Sequence, residues 1–164
     1  MYKKQSLWWL YTAVFLGIIA LDRISKWLAV TVLGGRQVSL FPGLNFTLMW
    51  NRGVSWGLFN RSSYLGLYFL ALFIAIVIVF FLVYTIHEYR RGTMILFELL
   101  VLAGALSNFF DRIYYGAVVD FIDIYVSTGV WSWHWPTFNV ADACIVVGMG
   151  GILVKGLLCE RTKI

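Results

Sequence analysis

Carboxylates are the groups in this chain whose placement lets them act together. Four of the eight acidic residues, Asp111, Asp120, Asp123 and Asp142, fall between Gly104 and Asp142, and Asp22 stands at the end of an earlier apolar run. An acid at the edge of an apolar segment is costly and calls for a reason. Two carboxylates facing each other in a pocket of low dielectric cannot both ionise easily, so one keeps a proton while the other stays charged. Such a pair can take a proton from a water that attacks an amide and deliver one to the oxygen or the leaving nitrogen, with no covalent intermediate. Its titration belongs to the pair rather than to either member. Spacing alone does not select this chemistry, because acids near the ends of membrane helices more often serve ion pairs, ion paths or proton relays.

Other chemistries find no support in the sequence. It offers no zinc set, no Ser/His/Asp arrangement at matching depth and no Gly-rich phosphate loop, so no metal and no cofactor are expected. Cys144 and Cys159 lie in the last hydrophobic run and read as packing residues. His134 stands alone among Trp131, Trp133 and Trp135, where a lipid head-group contact is the simpler reading than a metal ligand. The net charge of +5 is scattered at the ends of apolar runs, which excludes a nucleic-acid face and points to membrane topology and anionic lipid.

The elements that must position these acids are membrane helices. With 61% hydrophobic residues and 13% charged, the 164-residue chain falls outside the range of soluble domains and has no linker, so residues 1–164 are expected to form one domain. Apolar runs predict spans at about residues 7–29, 64–86, 94–113 and 139–158. Asp22, Arg23 and Lys26 follow the first run in place of a small-x-small cleavage signal, so it reads as a retained helix. Asp22 and Lys26 share a helical face at a spacing of four, either as a helix-end ion pair with Lys26 snorkelling outward or as part of a site. In the third span Gly104, Asn108 and Asp111 or Arg112 recur on one face, which should look into the bundle. Asp111 beside Arg112 reads as a structural pair. In the last span Gly148, Gly150 and Gly151 allow close helix packing.

The segments between the spans, about 30–63 and 114–138, have a different character. Alternation over 44–50, with a Phe41-Pro42-Gly43 turn joining it to 37–40, predicts strands, and Val54 to Phe59 is a further candidate. Ser62 and Ser63 can cap the next helix. Residues 114–139 read as irregular, Asp123 as a loop acid, and Trp131 to Trp135 as a surface strand or interfacial belt. Such backbone cannot face lipid and should form a small sheet at the membrane surface. Lys3, Lys4, Arg90, Arg91, Lys155, Arg161 and Lys163 outnumber Arg36, Arg52 and Arg61 in the opposite loops, predicting both termini in the cytoplasm. Asp22, Asn51, Asn108, Asp111, Arg112, Asp120, Asn139 and Asp142 then lie near the outer interface as one polar site. A small proton-coupled transporter or channel subunit is the rival reading, but it needs polar groups through the full depth, and the second span carries no charge.

Five segments in order decide between these readings. Asp22 with Lys26, Asn51-Arg52-Gly53-Val54-Ser55-Trp56-Gly57, Gly104-Ala105-Leu106-Ser107-Asn108-Phe109-Phe110-Asp111-Arg112, Val118-Val119-Asp120-Phe121 and Phe138-Asn139-Val140-Ala141-Asp142 together resemble the motif set of signal peptidase II. The resemblance implies an intramembrane aspartic endopeptidase that removes signal peptides from diacylglyceryl-modified prolipoproteins, cutting before the lipidated cysteine at the outer face of the bacterial inner membrane. It implies four transmembrane helices under an extracytoplasmic β-cradle, in agreement with the N-in, C-in arrangement read from the charges; a monomer among phospholipid is expected, with oligomeric state left open by the sequence. It implies Asp120 and Asp142 as the catalytic pair, with Asp22, Lys26, Asn51, Gly53, Gly104, Asn108, Asp111, Arg112 and Asn139 binding substrate or shaping the pocket. Arg23, where that family usually has Gln, and Trp56, where it commonly has Phe, depart from the pattern.

Overall fold

The computed structural model describes residues 2–53 and 64–161. The candidate strand Val54–Phe59 with Trp56 in it, and the candidate cap at Ser62 and Ser63, lie outside the described residues. Among the described residues are four helices, α1 (Tyr2–Leu28), α2 (Tyr64–Arg90), α3 (Leu96–Tyr115) and α4 (Val140–Arg161), with one pair of strands, β1 (Gln37–Phe41) and β2 (Leu44–Asn51), between α1 and α2 and a second, β3 (Val118–Ser127) and β4 (Ser132–His134), between α3 and α4. By length and composition, Tyr68–Arg90 and Val140–Leu158 are apolar enough to cross a bilayer. The apolar side chains of α2, among them Phe69, Phe73, Ile76 and Phe80, are mostly exposed, as suits a helix whose solvent is lipid.

The central helix is α3, packed against α1, α2 and α4. Its closest approach to α4 is made by glycine. A Cβ built on Gly104 would stand 2.5 Å from the Ala141 carbonyl oxygen, and one on Gly148 would stand 2.7 Å from that of Phe97. A Cβ on Gly151 would run into the Phe97 ring, whereas Gly150 faces open space and has no part in the contact. Because the Gly104 obstacle is backbone, Gly104→Ala can be relieved only by moving the start of α4. Overpacking of this kind costs about 1–3 kcal/mol, so the variant is expected to melt earlier in detergent and to lose activity along with stability.

The π-helical turn Ala29–Leu33 ends α1 and feeds the sheet. The strands run antiparallel in the order β1-β2-β3-β4. Ala29, Leu33 and Phe121 form a small core under the sheet, with Phe46, Leu48, Ile122 and Val140 packed on it. β1 and β2 match the alternation of the sequence, each extended by one residue. The ten-residue β3 replaces the irregular backbone expected after residue 114. Its inner half, Val118 to Phe121, is buried on both faces, so the in/out alternation that marks a strand is missing there.

Two short connections decide where the polar groups fall. α3 ends in a left-handed Gly116, φ 67°, whose N–H donates to the Arg112 carbonyl, and β3 begins two residues later. On the flank of β3 away from β2, Phe138 bridges to Ile122, exchanging backbone hydrogen bonds of 2.8 and 3.1 Å immediately before α4 starts. The end of α3, the inner half of β3 and the first turn of α4 are therefore held together.

Candidate active site

Asp120 and Asp142 converge at this junction and are tied through one residue. Asn139 precedes α4. Its Oδ1 accepts the Asp142 N–H at 2.9 Å, while the Asp142 carboxylate accepts the Asn139 N–H at 3.2 Å. This reciprocal pair is a capping box, which fixes the first turn and places an acid at the positive end of the helix dipole. The Asn139 side-chain amide then donates to Asp120 Oδ1 at 2.7 Å, and also lies 3.1 Å from Asn108 Oδ1 and 3.3 Å from the Val119 carbonyl.

Three asparagines surround the two acids, and each has its amide sense fixed by a second partner. Asn51 accepts the Gly53 N–H on Oδ1 at 2.8 Å, so its Nδ2 must face Asp120 Oδ2, also at 2.8 Å. Asn108 accepts Lys26 Nζ on Oδ1 at 2.7 Å, so its Nδ2 faces Asp142 Oδ1 at 2.8 Å. Asn139 is held the same way by the Asp142 N–H. All four carboxylate oxygens thus receive N–H donors, which is what an acid pair carrying charge in a buried place requires. Burial pushes the Asp120 carboxyl up to about 6, and the charge of Asp142 adds to this, against the amide donors of Asn51 and Asn139, which pull it down.

Beneath this layer lies a second, fully ionic cluster. Lys26 Nζ is 2.8 Å from Asp22 Oδ2 and 2.8 Å from Asp111 Oδ2. Arg23 completes it, 2.7 Å from Asp111 Oδ1 and 3.2 Å from Asp22 Oδ2. Ser107 Oγ donates to Asp22 Oδ2 at 2.7 Å, and the Ala141 N–H at the start of α4 donates to Asp22 Oδ1 at 2.9 Å. Two acids and two cations balance, the acids being wholly buried. Lys26 does not snorkel; it is 3% exposed and spans both layers through Asn108.

The structure corrects the expected pairing of Asp111 with Arg112. Asp111 pairs with Arg23 and Lys26, while Arg112 lies beside Gly53, where its Nη2 would be 3.8 Å from a built Cβ, and its charge acts on Asp142 and Asp120 ahead of Asp111. Its Nε is buried without a partner. Gly53 itself has φ 77°, the left-handed conformation that favours glycine. Asp123 is likewise a buried strand residue rather than a loop acid. It accepts the Asn45 amide at 3.0 Å and lies 2.8 Å from His134 Nδ1, which gives His134 a partner within the protein. Arg23 and Ser107 were not among the expected site residues. Both sit next to residues that were; Arg23 touches its neighbour Asp22, but its shorter contact, to Asp111, and the side-chain contact of Ser107, to Asp22, cross between α1 and α3, where no spacing within one helix could reveal them.

Buried Asp120 and half-buried Asp142 thus share one polar junction in a chain with helices apolar enough to cross a bilayer, and its relatives are membrane enzymes. A solved bacterial membrane enzyme, determined by the in meso method at 2.3 Å, superposes with a TM-score of 0.74 at 25% identity, covering 94% of this chain and 92% of its own. The lipoprotein signal peptidase of Coxiella burnetii is 36% identical over 98% of this chain and 97% of its own length, and that of Blochmanniella pennsylvanica is 36% identical over 94% and 91%. Residues 14–158 match the family model for signal peptidase (SPase) II. The chain belongs to the signal peptidase II family.

Proposed function

We propose that the protein is an aspartic endopeptidase that removes signal peptides from diacylglyceryl-modified prolipoproteins, cutting before the lipidated cysteine at the outer face of the inner membrane. The observation that carries this reading is Asn139, which holds Asp142 through a capping box and Asp120 through its amide. One carboxylate takes a proton from water as the oxygen attacks the carbonyl carbon. The other gives its proton to the carbonyl oxygen, and collapse of the gem-diol returns a proton to the leaving nitrogen. Arg112, charged and beside Gly53, is placed to hold the substrate near the acids.

Residues 1–164 act as one domain with four spans, N-in and C-in, and the sheet lies over the outer interface. The lipid anchor of the substrate keeps its peptide at that depth, so burial of acyl chains supplies positioning. The enzyme works as a monomer surrounded by phospholipid. A transporter or channel subunit would need a continuous polar path, whereas the polar network described here gathers at one end of the bundle.

Cleavage of a lipidated precursor by the purified protein in detergent, with chelator present and without nucleotide, tests the reading. Release of the signal peptide is expected; an intact precursor would refute it. The pH profile adds a second check. With the Asp120 carboxyl pushed up to about 6, the pair should lose its shared proton above that value, so kcat/KM, which reports the free enzyme, is expected to fall on the alkaline side of it. The limb of kcat should lie higher, because bound substrate expels more water. Asn51→Ala removes a donor that favours the charged form, and should move the kcat/KM limb to higher pH.

A further inference from the structure

We propose that Met49 is a specificity-determining residue, the wall against which the substrate side chain preceding the cleaved bond is sized. The proposal rests on the dyad reading above. The register of β2 against β3 carries it. Phe46 lies opposite Ile122 and Met49 opposite Asp120, so β2 spends three steps where β3 spends two. That extra residue is a β-bulge, a device that re-aims side chains and is common beside active sites. Without it Leu48 would stand across from Asp120. With it Leu48 packs on the core of Ala29, Leu33 and Phe121, and Met49 takes the place beside the acid.

The face on which Met49 points follows from its neighbour two residues on. Residues i and i+2 of a strand share a face, and Asn51 reaches Asp120 Oδ2 at 2.8 Å. Met49 is therefore on the carboxylate side, and directly opposed residues bring their Cβ atoms within about 4.5–5.5 Å. Asp120 is 1% exposed and Met49 is 49% exposed. A substrate reaching the acid meets the thioether first. In every substrate of the proposed reaction the residue after the cleaved bond is the lipidated cysteine, so discrimination by size falls on the residue before it. Methionine is unbranched and flexible, which makes it an adaptable wall rather than a rigid one.

The test compares lipidated precursors that differ only in that residue, from Gly and Ala to Val and Leu. A small change of volume in an apolar contact is worth about tenfold or more in selectivity, so Met49→Ala is expected to raise the Leu-to-Ala ratio of kcat/KM by about that factor and Met49→Phe to lower it. Met49→Leu, of similar volume, should keep the wild-type ranking. Thermal melting confirms that each variant is folded, as expected for a half-exposed side chain. A ratio that moves by less than about twofold in both Met49→Ala and Met49→Phe overturns the assignment. Asp120→Asn, run in parallel, separates the two readings: if it cleaves, the dyad falls, whereas an unchanged ranking alongside an inactive Asp120→Asn overturns only the role of Met49.

Discussion

Asp120→Asn and Asp142→Asn are each expected to reduce cleavage by at least about a hundred- to ten-thousandfold, the contribution of a positioned acid or base, while the protein still folds and inserts. The expectation follows from what each amide can and cannot replace. Asn at 142 keeps an oxygen that can accept the Asn139 N–H or the Asn108 amide, so the start of α4 survives. Asn at 120 likewise keeps one acceptor for Asn51 or Asn139. The introduced amide can neither take nor give a proton at neutral pH, so each variant is left with one half of the pair. The measurement is signal-peptide release from a lipidated precursor, alongside thermal melting and size-exclusion chromatography in detergent. Substantial activity in either purified variant would remove that residue from the chemistry.

Lys26→Met is expected to be the most damaging single change outside the acid pair. It leaves Asp22 and Asp111, both wholly buried, with Arg23 as their sole cation, and breaking a buried pair from one side costs about 3–5 kcal/mol. It also removes the charged one of the two donors on the Asn108 oxygen, leaving only the longer contact from the Asn139 amide to orient the group that holds Asp142. Stability and activity should both fall. Adding Asp22→Asn restores charge balance, and the double variant should recover part of the melting temperature without recovering cleavage. Recovery of both together would mean that Lys26 acts on stability alone.

The parts of the site carried by one helix were legible in the sequence. The spacing of Asp22 and Lys26 and the polar stripe of Gly104, Asn108 and Asp111 both appear on buried faces. What failed were inferences from adjacency. Asp111 and Arg112 are neighbours in sequence, but successive helical residues point in different directions and do not face each other. They therefore enter different networks. Asp123 finds His134 only through the register of β3 with β4, and β3 hides its period because its inner half is covered on both sides. The bulge in β2 is the same kind of feature. Nothing in Leu44 to Asn51 says which of Leu48 and Met49 will meet Asp120, since that depends on the strand opposite.

One consequence follows from the first turn of α4. Its backbone is fastened by Asp142 from within and by Asp22 from α1, far away in the chain. Asp120 receives its place from β3, which is laid down only after α3 is finished. Translation therefore delivers Asn139 and Asp142 last, after Asp22 and Asp120. On the dyad proposed above, a chain synthesised only as far as β3 holds Asp22, Asp111 and Asp120 but lacks the second acid, so it should not cleave. On that reading, proteolytic competence is conferred by assembly.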